Sequence, residues 1–113
     1  MTGMLLLKIE EAGVAVLTLI EGIDESEFSR SRLTRQEVCR QIDSLGLAAL
    51  GMSPATRAAL PEIDWKTWLA MAEYAAKDNQ QLWWVISELV PATLMWLRVY
   101  RNQQPELFAA IAI

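Results

Sequence analysis

The chain is expected to fold as one all-α domain covering residues 1–113, an up-and-down bundle of about four main helices plus a short one. Three observations predict this. Apolar residues recur at three- and four-residue spacing over several long stretches. Gly, Pro and small capping residues punctuate those stretches at intervals suited to helices rather than strands. Finally, 113 residues with 53% hydrophobic and 21% charged side chains supply enough apolar surface for one core, and no repeat or low-complexity run divides them.

The first helix is read from about Met4 to Glu21, with Leu5, Ile9, Ala12, Val16 and Ile20 at helical spacing and Gly22 as its stop. Leu6, Leu7, Val14, Leu17 and Leu19 lie outside that stripe, so more than one side of this helix is apolar. The β-branched run Gly13 to Ile20 leaves a strand open as the competing reading. The second helix is expected to begin at Thr34 as cap, with Glu37 reaching back as in a capping box and Leu33 and Val38 placed for a hydrophobic staple. Its stripe is Val38, Ile42, Leu45 and Ala49, and Gly51 ends it. Ser53-Pro54 starts a short helix that Pro61 ends.

Asp64 is the expected cap of a third long helix, on which Trp65, Trp68, Leu69, Ala72, Ala75 and Ala76 share a face until Lys77-Asp78-Asn79. The last helix starts near Gln80 and aligns Leu82, Val85, Ile86, Leu89, Trp96, Leu97 and Tyr100. Pro91 should kink it, because the ring removes one hydrogen bond and crowds the preceding turn. Pro105 closes it, leaving an apolar tail from Leu107 to Ile113.

Composition narrows the function. A net charge of -4 gives no general attraction to polyphosphate, although a local basic patch is compatible with it. There is no histidine, so Ser-His and Cys-His nucleophile schemes are excluded. The single Cys39 can form no internal disulfide, and no Cys/His cluster exists for zinc. The apolar stretch Ala12 to Ile20 is too short to span a bilayer, and Met1 to Leu7 has no basic start. A cytoplasmic protein without membrane attachment and without cofactor is the expectation.

The punctuation Gly22-Ile23, Glu27-Phe28, Leu33-Thr34, Ser53-Pro54 and Pro61-Glu62-Ile63-Asp64-Trp65, extended by Met71 and Trp84, resembles the HepT-like branch of the HEPN family in order and spacing. The resemblance runs from about Leu5 to Tyr100, and the Pro-Glu-Ile-x-Trp passage is its most specific stretch. It implies a HEPN-like bundle, commonly dimeric, in which an Arg, four residues, His, one residue and Tyr serve RNA cleavage at a dimer cleft. Carried onto this chain, the Arg position is Ala72, the His position Lys77 and the Tyr position Asn79. The Asn that follows the Arg is Glu73, and the Glu of the second helix is Leu47.

Cleavage through a 2'-hydroxyl requires a base, an acid and a cation on the phosphate. Alanine supplies none of them. Lys77 has charge, but as a base it would need its pKa lowered by burial or cationic neighbours, and Asp78 is adjacent. The resemblance therefore implies a homodimeric interaction or regulatory module that has lost catalysis, in a toxin-antitoxin-type setting. A minimal nucleotidyltransferase is its possible partner there, although Asn79 removes the tyrosine such a partner would modify. The alternative is a ribonuclease with relocated catalytic residues.

Arg30, Arg32, Arg35 and Arg40 are the candidates for binding phosphate or RNA, since Arg offers bidentate contacts to phosphate oxygens. An ordinary solvated face beside Asp24, Glu25 and Glu27 is the competing reading. Trp65, Trp68, Trp84 and Trp96 fit helical stripes and are expected in core or interface rather than as a stacking platform. Of the adjacent Trp83 and Trp84, one should point away from the core. Glu10 and Glu11 diverge on their helix and suit no acid-base pair, and Cys39 is expected to pack rather than react.

Overall fold

The computed structural model describes residues 2–73 and 79–108, with side chains described for 3–70 and 80–108. The fold is all-α, and there is no strand among the described residues. Helix α1 spans Thr2–Leu19, α2 Glu25–Arg30, α3 Arg32–Gly51, α4 Pro54–Ala59, α5 Trp65–Glu73, α6 Asn79–Trp84 and α7 Val90–Gln103, with a π turn at Val85–Leu89 joining the last two. The strand alternative for Gly13 to Ile20 is thereby removed. Helix α3 lies at the centre, with α1 and α5 packed along it, while α7 closes on α1.

On α1 the buried line is Leu6, Ile9, Ala12 and Val16, and Leu5 and Ile20 are only half-buried. The expected stripe is thus shifted by one residue at its start. A helix with apolar residues on several sides does not specify which line turns inward; its neighbours α3 and α7 do. Gly13 lets α7 approach closely, since a Cβ built there would lie 2.9 Å from Leu94 Cδ2. Gly22, with φ of 79°, takes the left-handed conformation that ends the α1 turn.

The start of α3 differs from the expectation. Its cap is Ser31, whose hydroxyl accepts from the Thr34 N–H at 3.4 Å, one turn before the anticipated cap. Glu37 then stands too far along the helix to reach back, and its carboxylate turns to Arg40 and Gln41 instead. Leu33 is inside the helix and 80% exposed, so it forms no staple. The earlier start arises because α2, which sequence pattern did not anticipate, runs up to Ser31 under its own cap, Asp24, and Ser31 alone separates it from α3.

Elsewhere the capping chemistry is as expected. Ser53 accepts from Thr56 N–H at 3.1 Å with Pro54 at the first helical position, and Asp64 accepts from Thr67 N–H at 3.1 Å. Helix α5 is described to Glu73; the expected break at Lys77-Asp78-Asn79 falls largely outside the described residues. Val38, Ile42, Leu45, Trp68, Val85, Ile86 and Leu89 are all buried, while the Ala72 side chain lies outside the description.

Pro91 acts through a π turn. Its missing N–H leaves the Ser87 carbonyl without the usual helical donor, and the turn just before it widens so that Val90 N–H bonds Val85 carbonyl. Within the helical stretch Gln80–Gln103 an 18-residue window reaches a mean hydropathy of 1.2, long and apolar enough to cross a membrane by length and composition, and 39% of that window is buried within the fold. Its inward side, including Leu82, Val85, Ile86, Val90 and Leu97, belongs to the core.

Candidate functional site

Three of the four candidate arginines meet at one place. Arg32, Arg35, Gln36, Cys39, Arg40 and Asp43 line one side of α3 and, with Leu82 of α6, surround an open hollow of about 490 Å³. Their spacing explains the convergence, since residues three, four and seven apart share a helix side. Arg30 does not join them: it is exposed in the last turn of α2, outside the lining. The break between α2 and α3 turns it away from the shared row.

The lining arginines differ in what holds them. Arg35 donates from Nη1 to the Ser29 carbonyl and to the Phe28 carbonyl at 3.5 Å. It thereby supplies a donor to the Ser29 carbonyl and a second one to the Phe28 carbonyl, which also accepts from Ser31 N–H, at a helix end where positive charge is favoured. Its first role is structural. Arg40 donates from Nη2 to Glu37 Oε1 at 2.6 Å on an exposed surface. That bond, followed by one from Gln41, holds the Glu37 carboxyl below its ordinary pKa, and it raises the pKa of Arg40 in turn. Arg32 is exposed and makes no side-chain hydrogen bond or ion pair among the described residues. Cys39 is half-buried in the lining.

The positions where the resemblance places Arg, His and Tyr fall at the edge of the description. Ala72 and Asn79 stand on α5 and α6 with side chains outside the description, and Lys77 lies outside the described residues. Among the described residues, no group of three or more His, Cys, Asp or Glu is placed to hold a metal ion.

The tryptophans form no platform. Trp65 and Trp68 are buried, and Trp83 packs on Phe28 with ring centroids 5.5 Å apart. Trp84 is the one of the adjacent pair that points outward, at 47% exposure, so of the two places expected for it, core or interface, the monomer core is excluded. Neighbours on a helix diverge by about 100°, and the seat of Trp83 against Phe28 decides which turns out.

Several polar contacts escaped sequence reasoning. Trp68 Nε1 donates to Thr93 Oγ1 at 3.0 Å, and that hydroxyl donates to Leu89 carbonyl at 2.8 Å. Arg57 Nη1 donates to the Ala49 and Met52 carbonyls at 3.1 and 2.8 Å, closing the end of α3. Arg101 reaches both Glu10 oxygens at 3.1 Å, tying α7 to α1. For the first of these the available signal was Thr93 among the apolar residues Val90 to Leu97, because a buried hydroxyl needs partners.

No family model matches the chain, and no curated protein or solved structure matches it.

Proposed function

We propose that the chain is a non-catalytic relative of the HepT-like HEPN proteins, cytoplasmic, and acting by association with protein surfaces, first of all a second copy of itself. The observation that carries this reading is the outer face of α3, where Leu33, Leu47 and Leu50 are 80%, 62% and 53% exposed on a helix whose other side is fully packed. Large apolar side chains aligned in water favour a partner. The loss of catalysis follows from residue chemistry: Ala72, Lys77 and Asn79 occupy the positions where the resemblance places Arg, His and Tyr, and histidine is absent throughout.

Two measurements test it. Light scattering from micromolar to sub-micromolar concentration should show dimers that dissociate on dilution; a monomer at every concentration rejects self-association. Purified protein incubated with structured and single-stranded RNA should leave it intact. The arginine-lined hollow is the feature that favours the alternative, a ribonuclease with relocated residues. Cleavage abolished by Arg32→Ala or Lys77→Ala would establish that alternative. In the toxin-antitoxin setting, a minimal nucleotidyltransferase encoded next door should co-purify with the chain.

A further inference from the structure

The outer row of α3 is close to a palindrome. Leu33, Gln36, Arg40, Asp43, Leu47 and Leu50 are all exposed and stand three, four, three, four and three residues apart. That alternation is the seam spacing of a two-stranded coiled coil. Val38, Ile42, Leu45 and Ala49 occupy the opposite side and are buried, so the seam faces directly away from the chain's own core.

Reading outward from the midpoint between Arg40 and Asp43, the row carries opposite charges, then Gln36 and Leu47, then Leu33 and Leu50. The geometry points to a second copy of this chain as the occupant, its α3 laid antiparallel across a two-fold axis at that midpoint. Arg40 then meets the partner's Asp43 and Asp43 meets the partner's Arg40. Leu33 packs on the partner's Leu50 at each end, and Gln36 lies against the partner's Leu47. A parallel arrangement would instead set Arg40 on Arg40 and Asp43 on Asp43, which like-charge repulsion disfavours.

Arg40 can serve this pair while keeping its bond to Glu37, because that bond engages only Nη2 of a guanidinium with five N–H donors. The apolar ends supply attraction, and the central charges choose orientation and register. This inference rests on the self-association proposed above and names its surface.

Charge exchange tests it. Arg40→Asp and Asp43→Arg should each weaken the dimer by about tenfold or more, because like charges then face each other. An equimolar mixture of the two variants should recover a dimer, now a heterodimer with one acidic and one basic seam, and the doubly exchanged chain should dimerise by itself. Circular dichroism checks that each variant is folded. If one is not, a second measurement decides: Leu33→Cys and Leu50→Cys chains, both also Cys39→Ser, should oxidise to a covalent dimer when mixed and not when separate. A dimer indifferent to both charge changes, or no cross-link specific to the mixture, overturns the α3 seam and leaves self-association standing. A wild-type chain monomeric at every concentration overturns both.

Discussion

The inner and outer faces of α3 are built from the same helix and answer to different constraints. Inward, Val38, Ile42, Leu45 and Ala49 are almost fully buried against α1 and α5. Outward, Leu33, Leu47 and Leu50 share a row with Gln36, Arg40 and Asp43 in water. Leucine therefore occurs on both, and its presence does not tell which face holds the monomer together. Position relative to the neighbouring helices does.

The largest expected effect is on the inner face. Ile42→Ala removes a fully buried side chain and should cost about 2–5 kcal/mol of unfolding free energy, measured by urea denaturation. A loss below about 1 kcal/mol would mean the inner face can collapse around the gap. Next comes the polar tie on the helix opposite. Thr93→Val leaves the buried Trp68 indole N–H without its acceptor and should cost about 1–3 kcal/mol. A blue shift in tryptophan emission should accompany it, whereas unchanged stability would mean the indole finds another acceptor.

On the outer face, Leu33→Ser should leave the folding stability of dilute monomer within about 0.5 kcal/mol, while weakening self-association in light scattering. A large stability loss would break the distinction between the faces. The smallest effect belongs to Glu37. Its folded pKa is held below the unfolded value by the hydrogen bond from Arg40, then by that from Gln41. The associated stabilisation is therefore present above the unfolded value and lost as pH falls through the folded one. Because the carboxylate lies at the solvent-accessible surface, where an ion pair adds little to stability, its trace should appear in an NMR titration rather than in a denaturation curve. Arg40→Ala should move the Glu37 midpoint upward toward that of an ordinary glutamate.

Much of the fold was legible in residue order. The stripes of α3 and of the α6–α7 run, the caps Ser53 and Asp64, the stops Gly22 and Gly51, and the disturbance at Pro91 all follow from local rules that act within one or two turns. The misreadings and the choices left open have a common cause. Thr34 and Ser31 both fit a cap, Leu5 and Leu6 both fit a buried line, and Trp83 and Trp84 both fit an apolar side. In each pair local chemistry permits either, and a contact with a distant segment chooses: α2 ending at Ser31, α3 and α7 against α1, Phe28 beneath Trp83.

The candidate site divides along the same line. That Arg32, Arg35 and Arg40 share one side of a helix is a matter of spacing, and so is the charge symmetry around Arg40 and Asp43; both are properties of the sequence by itself. So are the absent histidine and the alanine and lysine at the positions where the resemblance places arginine and histidine. That Arg35 is committed to the carbonyls of α2, that Arg30 stands apart, and that the leucine-bearing row of α3 is left in water were decided only by tertiary structure. Periodicity is set by backbone geometry within a helix, whereas exposure depends on which helices arrive to cover it.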